Sequence, residues 1–188
     1  DITDGPRYII WELTKTKNQQ GLLNPVHPGK IKPDMTTTEA VKFIDSVAKA
    51  YHTTIIITGG EPLTRPDVFD LAEYARAKGL GIILNTNGSL FDTSAARRCV
   101  EGKLRAVQVA LDGSSSRTHD GFRQIPGAFT QGIKAIELVK LAGVKFEIYT
   151  FVTKDNMSEI QKINTLAQKL GAWGHTFLFN IPTGNYEH

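Results

Sequence analysis

Six short runs of apolar, largely β-branched residues alternate with stretches of helical periodicity. That alternation is the strongest constraint on how this chain can fold. Tyr8–Leu13, Thr54–Thr58, Leu80–Leu84, Leu104–Leu111, Lys145–Val152 and Thr176–Ile181 read as strands. Thr54–Thr58 carries three consecutive isoleucines, the pattern of a strand covered on both faces. Between the runs, apolar residues recur at helical spacing. Thr36 and Glu39 have the spacing of a capping box, and the helix they open places Val41, Ile44, Val47 and Tyr51 on one face. Pro66 suits a first helical turn, and Gly79 a helix end. Thr93–Glu101 turns Ala96 and Cys99 inward, and Ala128–Leu141 does the same with Phe129, Ile133, Ile136 and Val139. Asn156 and Glu159 repeat the capping spacing before Ile160, Ile163, Leu166 and Leu170. The stretch from Asp112 to Pro126 reads as a loop.

Strands and helices in strict alternation imply parallel pairing through right-handed crossovers. The expected fold class is therefore α/β, a partial TIM-like (β/α)6 barrel of parallel strands, with a doubly wound open sheet as the competing architecture. Neither a Gly-x-Gly-x-x-Gly turn nor a Gly-x-x-x-x-Gly-Lys loop follows any strand, which argues against a dinucleotide site or a P-loop. Residues 1–188 read as a single domain, truncated after strand six. No helix follows that strand, so its exposed edge invites pairing with something else.

Composition narrows the classes of function. The 22 Lys and Arg exceed the 19 Asp and Glu by three, and they are scattered rather than clustered with aromatics, which argues against nucleic acid. No apolar stretch reaches the length that spans a bilayer, so no membrane association is expected. With one cysteine, Cys99, the chain forms no internal disulfide, and a cytoplasmic setting is the expectation.

In parallel barrels the reactive groups gather where the strands end. Those positions hold Thr14 onward, Gly59-Gly60-Glu61-Pro62, Asn85-Thr86-Asn87-Gly88, Asp112-Gly113, and Thr153 to Asn156. Two glycines after a buried strand allow either a tight turn or the close approach of a ligand. Glu61 suits either a helix cap or a ligand contact. Asp112 suits a turn, His119 and Asp120 a surface pair, Trp11 and Trp173 packing, and Cys99 core packing. Glu12 is an inward-facing carboxylate in need of a partner, for which Lys15 and Lys17 are candidates.

Taken in order, Trp11-Glu12-Leu13-Thr14, Thr58-Gly59-Gly60-Glu61-Pro62, Thr86-Asn87-Gly88, Leu111-Asp112-Gly113, His119-Asp120-x-x-Arg123 and Pro126-Gly127-Ala128-Phe129 resemble the radical S-adenosylmethionine (SAM) superfamily, especially its haem-biosynthesis and peptide-maturase members. The resemblance covers nearly the whole chain, and Asn180–Gly184 continues it at the sixth strand's exit. It implies an open (β/α)6 barrel, a [4Fe-4S] cluster held by Cys-x-x-x-Cys-x-x-Cys after the first strand, and reductive cleavage of SAM. It also implies cofactor contacts at Gly59, Gly60, Glu61, Pro62, Asn85, Asn87, Asp112 and Arg123.

The departure from the family lies in the ligands. Alignment on Trp11-Glu12-Leu13-Thr14 places the three cysteine positions at Lys17, Gly21 and Asn24, with Asn18 matching the residue after the first. An ammonium has no lone pair, glycine has no side chain, and an amide is a poor iron ligand. His27 alone does not compensate, and Ala110 stands where many relatives carry a serine. The expected function is thus a radical SAM-like domain without its cluster and inactive in this form, through natural drift or redesign. At most it keeps weak SAM binding, with Arg123 taking the carboxylate. The alternatives are a non-enzymatic barrel module holding a peptide, a small molecule or a partner subunit, and a barrel enzyme using Glu12, Glu61 and Asp112 for acid–base work. The loop from Lys15 to Asp34, lacking its metal clamp, is expected to be mobile or refolded against the barrel mouth.

Overall fold

A computed structural model describes residues 5–19 and 33–179 of the chain. Gly21, Asn24, His27, Asn180–Gly184 and the expected last residues of strand six lie outside the described residues.

Six strands form one sheet: β1 (Tyr8–Thr14), β2 (Thr54–Gly59), β3 (Gly81–Thr86), β4 (Ala106–Ala110), β5 (Phe146–Val152) and β6 (Gly174–Phe179). Their spatial order equals their sequence order, and every pairing is parallel. A doubly wound sheet reverses direction at a switch point; this one never reverses, so it curls into a partial TIM-like barrel.

Alternation within each strand separates two faces. Ile55, Ile57, Ile82, Leu84, Val107, Val109, Phe146 and Ile148 are buried in one continuous core with the helices. That layer comprises α1 (Thr37–Ala50), α2 (Val68–Ala77), α3 (Thr93–Glu101), α4 (Ser116–Arg123), α5 (Ala128–Leu141) and α6 (Ile160–Leu170). The opposite, concave face carries Ile10, Glu12, Ile56, Ile83, Asn85, Gln108 and Glu147.

The expected capping box at Thr36 and Glu39 is present, with both reciprocal hydrogen bonds formed. Ala40, Ile44 and Val47 are buried on α1, but Tyr51 is its C-cap, in extended backbone, and is 40% exposed. Pro66 falls outside a helix: Pro62–Thr64 forms a short 3-10 turn, and α2 begins only at Val68. The stretch read as a loop contains α4, which Ser115 opens with a capping box to Thr118. Its sequence has almost no apolar periodicity, and His119 is its one buried side chain. Asn156 does not cap the following helix; its side chain is used elsewhere. Trp11 is packed against Phe43, as expected of a core aromatic. Trp173 is 62% exposed, with the Lys145 ammonium over its ring.

Candidate functional site at the barrel mouth

The strand ends are tied to one another by polar side chains. Glu61, almost wholly buried at the N-terminus of the 3-10 turn, accepts from Leu63 N–H, from the Thr86 hydroxyl at 2.8 Å and from Asn87 N–H at 2.8 Å. Burial pushes its carboxyl up from the ordinary range, while these hydrogen bonds and the Arg123 charge pull against that rise. Glu61 is therefore a cap that also locks the β2 end to the β3 end. The Asn87 side chain continues the connection: its Nδ2 donates to Asn18 Oδ1, and its Oδ1 accepts from Ser89.

Gly59 and Gly60 are required by the chain itself. A Cβ on Gly59, whose φ is +129°, would lie 2.1 Å from Thr14 O. One on Gly60 would lie 2.0 Å from Thr16 O and 2.9 Å from Lys17 Cγ. The segment after β1 passes directly over the glycines and is held there, Gly60 N–H donating to Thr14 O at 2.7 Å and Glu61 N–H to Thr16 O at 2.8 Å. Two backbone donors at this end of the site are thus taken by protein.

The same segment is pinned at both ends of its loop. Asp34 accepts from the Thr14 hydroxyl at 2.5 Å and from Lys15 N–H at 2.8 Å. Asn18 donates to Ser89 at 2.6 Å. At its described ends the loop is thus held by hydrogen bonds at Thr14, Lys15, Asn18 and Asp34, the second of the two expected arrangements, a loop set against the barrel mouth. The intervening residues lie outside the description.

Asp112 is a buried hub rather than an exposed turn residue. One carboxylate oxygen accepts from Arg123 Nε, the other from Phe151 N–H at 2.8 Å. Its own N–H donates to His119 Nδ1 at 2.9 Å, and its carbonyl accepts from Asn156 Nδ2. His119 is buried, not part of a surface pair, and burial drives its pKa down to about 4. Asp120 accepts from Gly127 and Phe129 N–H groups and so closes the N-terminus of α5. Arg123 engages Asp112 through Nε alone; among the described residues its two Nη groups have no protein acceptor.

Of the residues singled out by sequence, Glu61 is bonded to Asn87, Asp112 to Arg123, and the Arg123 charge is felt at Glu61, while Gly59, Gly60 and Pro62 flank Glu61 in the chain. Asn85 lies one layer deeper, its amide donating to Gln108. Glu12 is exposed on the concave face and forms no ion pair among the described residues. Thr86 and Asn156 stood among the strand-end residues but were given no role, and Asp34, Gln108 and Glu147 were missed. Gln108 and Glu147 had a signal: each interrupts an apolar strand run. Asp34 had none, being an ordinary polar loop residue whose partner, Thr14, is twenty residues away.

The described residues do not fit an iron–sulfur cluster. No group of three or more His, Cys, Asp or Glu side chains is placed to hold a metal among them. Cys99 is buried on α3, in the outer helical layer, with burial raising its thiol to about 12. Lys17, at the first cysteine position, lies over Gly60. No helix among the described residues is long and apolar enough to cross a membrane.

A family model described as the radical SAM superfamily matches residues 19–167. An AdoMet-dependent heme synthase of Methanosarcina barkeri is 40% identical over 97% of the chain and 53% of its own length. A protein of the same description from Oleidesulfovibrio alaskensis is 37% identical over 95% of the chain and 46% of its own length. The chain thus spans about half the length of these relatives. In three dimensions, Streptococcus suis SuiB bound to S-adenosylmethionine superposes with a TM-score of 0.81 over 97% of the chain and 43% of SuiB, at 13% identity. A likeness at that identity speaks for the fold alone.

Proposed function

The chain belongs to the radical SAM superfamily, and from that premise we propose that it is a member that has given up reductive SAM cleavage and keeps a ligand-binding barrel mouth. The carrying observation is the replacement of all three cluster positions by Lys17, Gly21 and Asn24, with Cys99, the chain's one thiol, enclosed on a helix. A three-cysteine cluster supplies the electron that splits SAM, and its ligands are thiolates. Nothing at the mouth among the described residues takes their place.

What supports a retained pocket is the polar frame around it. Arg123 is oriented by its bond to buried Asp112, and its free Nη groups form a fork suited to a carboxylate. Glu61 fixes the ends of β2 and β3 around the same opening. In this reading Arg123 takes the carboxylate of SAM or an amino-acid-like ligand, and backbone at Gly59–Gly60 lies against the ligand's amino end. Asn85, Asn87 and Pro62 line the walls. The occupant is a small molecule or a peptide terminus.

Anaerobic reconstitution with iron and sulfide, followed by iron counting and calorimetry with SAM, tests this. The expected result is substoichiometric iron and weak SAM binding that Arg123→Met removes. A stoichiometric four-iron cluster, with reductive SAM cleavage, would overturn the reading.

A further inference from the structure

Helix α4 carries Arg123, yet it has no apolar stripe to dock it, His119 being its one buried side chain. Two polar contacts with a single residue set its position instead. His119 Nδ1 accepts from Asp112 N–H at 2.9 Å, and Arg123 Nε donates to the Asp112 carboxylate. Where the Arg123 fork points therefore depends on how Asp112 is held. Strand β4 ends at Ala110, and the last backbone rung to β5 among the described residues is Leu111 N–H to Tyr149 O. Beyond it, Phe151 N–H goes to the Asp112 side chain, not to a β4 carbonyl.

Asn156 supplies what the ladder does not. It follows β5 and is buried. Its Nδ2 donates to Asp112 O at 3.1 Å and to Phe151 O at 2.8 Å, and its Oδ1 accepts from Thr153 N–H at 2.8 Å. A backbone N–H only donates and a carbonyl only accepts, so this amide has a single orientation with both Nδ2 hydrogens in use. One side chain thus ties the end of β4 to the end of β5 where their backbones stop pairing. An ionised aspartate in this place would set lone pairs against two carbonyls, and leucine would donate nothing. Asp112 is gripped at both of its peptide groups, the N–H by His119 and the C=O by Asn156. Its carboxylate is then aimed with one oxygen at Phe151 N–H and the other at Arg123.

We propose that Asn156 is a positioning residue of the Arg123 site: together with His119 it fixes Asp112, and through Asp112 it holds the Arg123 guanidinium with its Nη groups presented to a ligand carboxylate. This role rests on Arg123 being the carboxylate contact; Asn156 itself touches no ligand. A guanidinium already fixed through Nε has lost its rotamer freedom before the ligand arrives, so binding does not bear that ordering cost. Freed from Asp112, the same side chain would have to be ordered by each ligand that binds.

Nitrogen NMR of the intact chain reads the Arg123 Nε–H directly, because a donor held by a buried carboxylate exchanges slowly with water. In the parent, Arg123 is expected to exchange about tenfold more slowly than Arg117, which is exposed on the same helix. Asn156→Leu is expected to remove that protection, while Arg98 Nε, held by Glu73 in the outer layer, keeps its own. His119→Phe, which withdraws the acceptor for Asp112 N–H, is expected to do the same and decides the matter if Asn156→Leu fails to fold. An unchanged Arg123 signal in either folded variant would overturn the proposal. So would a loss at Arg98 as large as that at Arg123, the mark of general destabilisation. SAM calorimetry on the same samples is expected to show about tenfold weaker binding in both variants. Parent-like SAM affinity in a variant whose Arg123 is released would end the positioning role. A parent that binds no SAM would end the retained pocket, with the clamp on Arg123 still decided by its Nε signal.

Discussion

The Asp112 carboxylate, with no exposed surface, is bound on one oxygen by the Arg123 guanidinium and on the other by the backbone of Phe151. This pair joins the ends of β4 and β5 to α4, which lies between the two strands in sequence. Removing one partner of a buried ion pair leaves the other uncompensated, at a cost of about 3 kcal/mol. Asp112→Ala is therefore expected to lose about that much in urea unfolding. Arg123→Met, whose partner keeps the Phe151 donor, is expected to lose less. Equal stability of Asp112→Ala and the parent would contradict the hub.

His119 sets an acid limit on stability. Its folded pKa is about 4, against 6.5 for the free side chain. The unfolded chain thus binds the extra proton first. The contribution is fully present above pH 6.5 and is lost as pH falls through about 4. Over that window the loss is about 3 kcal/mol. His119→Asn, which keeps an acceptor for Asp112 N–H, is expected to flatten the pH-stability curve between those limits. A curve that keeps its slope would mean that other groups carry the acid limb.

Cys99 is expected to be silent toward thiol reagents in the folded state. It is 1% exposed, and burial raises its pKa to about 12, so little thiolate is available to react. Ellman's reagent should label it only at denaturant concentrations that unfold the chain. Labelling at the rate of a free thiol in native buffer would place it elsewhere.

The two glycines at the β2 end are expected to differ from a glycine that merely ends a helix. Gly59→Ala drives a Cβ into Thr14 O in a backbone conformation disfavoured for alanine. The expected cost is about 2 kcal/mol or more, with faster amide exchange at Glu61, whose N–H is held by Thr16. Gly79→Ala, also at positive φ but with nothing within 4 Å, should cost only about 1 kcal/mol and leave that amide protected. Similar effects at both positions would argue against the close passage of residues 14–16.

The sequence alone determined the alternation of parallel strands and crossover helices, because these are written as local periodicity and local stop signals; the strand order of the structure decided for the partial barrel over a doubly wound sheet. The runs around Ile55, Ile82, Val107 and Ile148 are apolar enough to be strands in any context, and Thr36 with Glu39 closes its capping box within four residues. The sequence also carries Cys99 as its single thiol, a fact that needs no structure. Only the tertiary structure decided what the polar residues do, since their partners come from distant segments. Glu61 meets Asn87, Asp112 meets Phe151, and Gln108 meets Glu147 across separations of 26, 39 and 39 residues. Helix α4 escaped for the same reason. Its stability rests on a cap at Ser115 and on His119 reaching Asp112, not on an apolar stripe that periodicity could reveal.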